Sequence, residues 1–210
     1  METKITVVMA SYLGSYQGAA SQRDLKIHRA IESVFNQTFQ EFELLLMSDG
    51  CEKTRAIYLD ILASGKYDSR LKYHEVPRLG TWGGNPRNGG IDNATGKIII
   101  YLDIDDYYLS GHLQHVWDNF GNNEMVYFDD LLYNFETESF DIVRKTRLAC
   151  SQCGTSSIAH LATLKSRWPV VGNYAHDWKF IMSLTKECKS MQYIGTAGYC
   201  VCHIPQRYDV

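Results

Sequence analysis

The chain has no apolar run long enough for a membrane helix. Its first hydrophobic stretch covers only Ile5 to Ala10, too short for the core of a signal peptide. A soluble, cytoplasmic protein without integral membrane association is therefore expected. Basic residues are not in excess either: a net charge of -3 leaves no electrostatic footprint for nucleic acid, and no basic run would hold a membrane surface. With only 4 prolines in 210 residues, no Pro- or Ser-rich linker divides the chain, and no internal repeat or low-complexity tract appears. One domain is expected. The 6 cysteines include Cys150-x-x-Cys153 and Cys200-x-Cys202, but the second spacing is poor for zinc and no His pair completes a standard pattern. Reduced thiols are the expectation.

What the chain does have is an apolar strand that ends in carboxylates, Lys97-Ile98-Ile99-Ile100-Tyr101-Leu102-Asp103-Ile104-Asp105-Asp106. Alternation along extended backbone would send Asp103 and Asp105 to one side and Asp106 to the other. Two carboxylates on one face at a strand's C-terminal edge suit a hard cation, Mn²⁺ or Mg²⁺, carrying phosphates. An acidic turn capping the next helix is the plainer alternative.

Upstream, Ile5 to Ala10 and Phe42 to Met47 read as buried strands, with Leu71 to Val76 as a third. Ile27, Ala30, Ile31, Val34 and Phe35 fall at helical spacing, and a second helix is expected over Thr54 to Ala63. A Gly-rich loop over Pro77 to Pro86 and a short helix over Asn88 to Ala94 precede the aspartate strand. This β-α-β-α-β order implies a parallel sheet with right-handed crossovers and a site at its strand ends. Downstream, a helix is expected over Leu109 to Phe120, a strand over Met125 to Leu132, a hairpin over Tyr133 to Arg147 turning at Glu136 to Ser139, a segment from Ser156 to Leu164, a helix over Asp177 to Lys186, and a last strand over Tyr199 to Ile204.

Several pieces, in order, resemble glycosyltransferase family 2, the nucleotide-sugar transferases of GT-A fold. They are Val7-Val8-Met9-Ala10-Ser11-Tyr12, Ala30 to Phe39, Phe42 to Gly50 ending in Ser48-Asp49-Gly50, Pro86-Arg87-Asn88-Gly89-Gly90-Ile91 with Ala94-Thr95-Gly96, and Leu102 to Asp106. The resemblance implies an α/β GT-A domain: residues 1–108 as the nucleotide-sugar half, 109–202 as a smaller β/α acceptor half, and 203–210 as a C-terminal lid. It implies that Asp49 recognises the base with Ala10, Ser11 and Tyr12 beside it, that Arg87 meets phosphate or a carbonyl edge, and that Asp103 and Asp105 hold metal, Asp103 also touching the nucleotide. His176-Asp177-Trp178 resembles the family's site for a general base, with His176 standing where Glu is customary, so Asp177 is the expected catalytic carboxylate. His203 is a candidate third metal ligand, and Arg207 a candidate phosphate contact.

The expected activity is metal-dependent, inverting transfer of a hexose from a nucleotide diphosphate sugar, UDP first, to a hydroxyl on a glycan, small molecule, protein or modified nucleic acid. A non-catalytic nucleotide-sugar or glycan-binding module is the alternative of another class. A sugar-1-phosphate nucleotidyltransferase is a third, disfavoured because Met9-Ala10-Ser11-Tyr12-Leu13 lacks a Gly-rich, Arg-containing phosphate loop. His28, His74, His112, His115 and His160 are read as surface or packing residues. Trp82, Trp168, Tyr174 and Trp178 are candidate sugar platforms, with Trp82 and Trp178 expected near the cleft.

Overall fold

The computed structural model describes residues 2–170 and 175–202. Nine strands form one sheet among these residues, in the order β3-β2-β1-β4-β8-β6-β9-β5 with β7 on β6. The first half is a parallel block: β1 (Ile5–Ser11) lies between β2 (Phe42–Asp49) and β4 (Ile98–Tyr101), and β3 (Leu71–Val76) sits outside β2. The second half is mixed. β8 (Ile158–Leu161) runs antiparallel to both β4 and β6 (Met125–Asn134), and β9 (Met191–Cys200) runs parallel to β6. The two-residue β5 (Tyr107–Tyr108) pairs with β9, and β7 (Ser139–Arg144) closes the expected hairpin.

Period-two alternation divides the strand side chains between two cores. Val7, Met9, Leu44, Leu46, Ile98 and Ile100 face α1 (Arg23–Phe35), α2 (Glu52–Ser64) and α4 (His112–Phe120). Val8, Leu45, Met47, Ile99 and Tyr101 face α3 (Gly84–Asn93) and α5 (His176–Glu187). With both faces covered, these strands read as continuous apolar runs rather than alternating ones. No helix among the described residues is long and apolar enough to cross a membrane.

Close approach of α3 to the sheet depends on its glycines. A Cβ on Gly90 would lie 2.3 Å from a Val8 methyl, and one on Gly96 would lie 2.7 Å from the Thr6 backbone nitrogen. The buried Glu43 carboxylate then ties this junction together, accepting from Thr6 Oγ1 at 2.7 Å, Thr95 N–H at 2.6 Å, Thr95 Oγ1 at 2.8 Å and Lys72 Nζ at 2.6 Å. The Ala94-Thr95-Gly96 segment is thus a structural joint.

Four expectations need correction. α3 begins at Gly84, inside the expected loop, because Pro86 falls in the first turn, where a helix has no use for the missing N–H. Among the described residues the last strand runs from Met191 to Cys200, so it opens well before the expected Tyr199, while positions 203–204 of that expectation lie outside the described residues. Asp103 to Asp106 are not extended: β4 stops at Tyr101 and a turn follows, closed by Asp106 N–H on the Asp103 carbonyl at 3.1 Å. Strand alternation therefore does not orient these aspartates. Trp168 is fully buried, stacked on Phe180 with ring centroids 4.2 Å apart, and is no exposed platform. Tyr174, His203 and Arg207 lie outside the described residues.

Candidate functional site

Because β1, β2 and β4 are parallel, the loops leaving them share one edge of the sheet. The expected donor residues Ala10, Ser11, Tyr12, Asp49, Asp103 and Asp105 all lie on or just beyond these strand ends. Ser11 is buried, and its hydroxyl meets Thr54 Oγ1 at 2.8 Å, so only its backbone is left for a ligand. The loop beyond it is pinned by Arg23, which donates to the carbonyls of Tyr12 and Gly14 at 2.6 and 2.7 Å.

Asp49 is buried at the end of β2. Its Oδ1 has no hydrogen-bond partner among the described residues. An orphaned carboxylate oxygen is costly unless a donor comes to meet it. Burial raises its pKa above the ordinary carboxylate value, and the charge of Arg78 with the Leu79 N–H opposes part of that rise. Arg78 escaped the sequence reading. Its guanidinium carbon sits 3.8 Å from the centre of the Tyr12 ring, so an aromatic face, a cation and an unpaired acceptor meet at this end of the site. Only tertiary packing brings residues 12, 49 and 78 together.

Arg87 is the hub of the other end. Buried in the first turn of α3, it donates from Nη2 to Asp103 Oδ1 at 2.8 Å and from Nη1 to the Trp82 carbonyl at 3.1 Å, with its guanidinium 4.8 Å from the Trp168 ring centre. Burial works against its charge, but the carboxylates of Asp103 and then Asp177 outweigh it and hold its pKa above the ordinary value. Asn88 clamps the same junction, donating to the Trp168 carbonyl at 2.9 Å and accepting from its N–H at 2.7 Å. Two consecutive residues of α3 therefore dock on Trp168, about 80 positions further along the chain.

Asp177 lies in the first turn of α5, where the helix dipole favours a negative charge. His176 Nε2 approaches its Oδ1 to 2.8 Å, and the Asp177 side chain stays 36% exposed. Burial pushes its pKa up, but His176 and the Arg87 charge pull it down further, so the net direction is below the ordinary value. The group is a carboxylate at neutral pH.

The three strand-end aspartates divide their work. Asp106 is buried, accepting from Tyr199 O–H at 2.8 Å and from Cys202 N–H at 2.6 Å, and so ties β9 to the aspartate turn. The Tyr199 oxygen in turn accepts the Asp103 N–H at 3.2 Å, and Arg29 holds the Asp105 carbonyl at 2.7 Å. Asp103 Oδ1 accepts from Arg87, and the carboxylates of Asp103 and Asp105 are both hard oxygen donors. No set of three His, Cys, Asp or Glu able to hold a metal occurs among the described residues. Two carboxylates from one turn are the donor type that suits Mg²⁺ or Mn²⁺, which leave most of their coordination shell to phosphate oxygens and water. Among the described residues no cysteine belongs to a group of three possible metal ligands.

Of the aromatic candidates, Trp82 is 54% exposed beside Arg87, and Trp178 is half-buried against the second core. The histidines do pack: His160 Nε2 meets Tyr101 O–H at 2.8 Å, and His112 Nδ1 meets the Ala197 carbonyl at 2.9 Å.

Comparison with known proteins places the chain in a family and a fold. The family model for glycosyl transferase family 2 covers residues 22–189. A Campylobacter jejuni relative, GalNAc(5)-diNAcBac-PP-undecaprenol beta-1,3-glucosyltransferase, is 30% identical over 92 residues, 43% of this chain and 29% of that one. The crystal structure of S. aureus TarS superposes with a TM-score of 0.74 over 95% of this chain and 36% of its own, at 17% identity. TarS residues 1–349 with UDP-GlcNAc superpose at 0.70, covering 95% of this chain and 58% of that one at 16% identity. GalNAc-T7 with UDP, GalNAc and Mn²⁺ superposes at 0.66, covering 94% of this chain and 43% of that one at 10% identity. The chain thus spans well under two thirds of these proteins. Its fold is GT-A, a mixed α/β architecture, and the chain belongs to glycosyl transferase family 2.

Proposed function

We propose that this chain transfers a hexose from a UDP-sugar to an acceptor hydroxyl, with inversion and with the help of Mn²⁺ or Mg²⁺. The observation that carries the proposal is Arg87. Its buried guanidinium is hydrogen-bonded to Asp103 and feels the charge of Asp177, which supports reading the donor-side and acceptor-side motifs as one site.

Asp49 Oδ1 accepts the imide N–H of uracil, and Tyr12 with Arg78 flanks the ring. Asp103 and Asp105 would hold the divalent ion, which would supply positive charge toward the departing diphosphate. Arg87 fixes Asp103 and keeps positive charge behind the diphosphate. Asp177 takes the proton of the acceptor hydroxyl while that oxygen attacks the anomeric carbon. The bond from that carbon to the diphosphate breaks, and its electron pair leaves on the phosphate oxygen. Attack opposite the leaving group inverts the centre. His203 and Arg207, outside the described residues, belong to this proposal as metal ligand and phosphate contact. So does the division into a donor half at 1–108, an acceptor half at 109–202 and a closing segment at 203–210. A cytoplasmic setting, where thiols stay reduced, belongs to the same proposal.

Release of UDP from UDP-hexoses with Mn²⁺, first to water and then to a panel of acceptors, tests the reading. Asp177→Asn is expected to leave UDP affinity intact while turnover falls roughly 10²-fold or more, as losing a general base does. Turnover within a few-fold of the native chain would assign Asp177 to capping α5 instead.

A further inference from the structure

The loop between β3 and α3 runs along the candidate donor site. Arg78, near its start, lies over Tyr12 beside Asp49, at the end proposed for the base. Four residues on, the Trp82 carbonyl shares the Arg87 guanidinium with Asp103, at the end proposed for the diphosphate. A pyranose attached to that diphosphate would lie beyond Asp103.

Trp82 has φ +53°, a backbone region that bulky L residues rarely enter. The residues around it are firmly held. Thr81 is buried, its hydroxyl accepting Asn85 N–H at 2.9 Å and its carbonyl accepting Gly84 N–H at 3.0 Å, and Asn85 Nδ2 donates to the Pro77 carbonyl at 2.7 Å. The indole itself is left 54% exposed. Asn or Gly would hold this conformation with less strain and without an apolar surface in water. Such local conflict between residue and backbone clusters where a ligand is handled.

Resting on the donor reading above, we infer that Trp82 is a platform for the hexose of the nucleotide sugar, its indole face covering the C–H face of the pyranose and so discriminating among donor sugars. An indole offers a broad, rigid apolar surface at little entropic cost, which suits a sugar face.

Calorimetric titration of the native chain, Trp82→Phe and Trp82→Asn with UDP, UDP-glucose and UDP-N-acetylglucosamine, each with Mn²⁺, tests this. All three proteins should bind UDP alike. The affinity gained from the hexose should fall roughly 2- to 10-fold in Trp82→Asn, the scale of one aromatic stacking contact, and be largely kept in Trp82→Phe. Ligand-dependent quenching of tryptophan emission should appear with the UDP-hexoses, exceed that with UDP, and vanish in both variants. Thermal melting adds a control that a structural role would fail: Trp82→Asn should melt at or above the native temperature, because it relieves the strained φ. An equal hexose increment in the native and Asn chains, or a substantially lowered melting temperature for Trp82→Asn, overturns the assignment while leaving UDP binding in place. Failure of the native chain to bind UDP at all would overturn the donor reading, and this one with it.

Discussion

Replacing Arg87 by methionine tests the site as an electrostatic unit. Removing one partner of a fully buried ion pair costs about 3–5 kcal/mol, because the other charge is left unanswered. Here the Asp103 side chain is 35% exposed and can rehydrate, and Asp177 is 36% exposed, so solvent screening reduces the loss. The hydrogen bond to the Trp82 carbonyl adds about 1 kcal/mol, while methionine keeps most of the packing over Trp168. The expected destabilisation at pH 7 is about 2–3 kcal/mol, read from urea unfolding with an unchanged slope. The pH dependence carries a sign of its own. Asp177 has a folded pKa depressed below the ordinary value, so its contribution is complete above about pH 3.8 and is lost as pH falls through the lower folded value. Without Arg87, burial is opposed mainly by His176, the folded pKa rises, and the acid limb of the stability curve moves to higher pH. A loss under about 1 kcal/mol together with an unmoved acid limb would refute the hub.

Two further predictions concern the donor half. Asp49→Asn replaces a buried charged acceptor, whose pKa is raised, by a neutral amide that does not titrate, so the native chain should lose UDP affinity on acidification somewhat above pH 3.8, and the variant, weaker throughout, should lack that limb in calorimetric titrations at stepped pH. Gly90→Ala places a methyl 2.3 Å from Val8 and should cost about 1–3 kcal/mol by overpacking, with Val8→Ala recovering part of it in the double variant, as chemical denaturation of all three chains would show.

The first half of the chain was legible because it is built from local signals. Each strand is an unbroken apolar run, and β3 spans Leu71–Val76 as the sequence predicts. Less regular segments escaped. β9 is interrupted at Gly195 and Gly198, both at positive φ, where its pairing with β6 shifts register twice, so no clean alternation marks Met191 to Ala197 as strand. α3 is hidden by three glycines and a proline that composition assigns to loop. The candidate site divides in the same way. Asp49, Asp103, Asp105 and Asp177 stand at readable strand or helix ends. The contact of Arg78 with Tyr12, the docking of Trp168 on Asn88, and the diversion of Asp106 to Tyr199 and Cys202 join residues that are 66, 80, 93 and 96 positions apart, beyond the reach of any spacing rule.

The central claim is that the Asp103 and Asp105 turn binds the diphosphate of a UDP-sugar through a divalent ion. Calorimetric titration of UDP into the native chain and Asp105→Asn, with and without Mn²⁺, tests it most directly. The account predicts that Mn²⁺ strengthens UDP binding to the native chain at least tenfold and that most of this gain disappears in the variant, since a charged hard ligand has become a neutral one. An equal Mn²⁺ enhancement in both proteins, or none in the native chain, would contradict it.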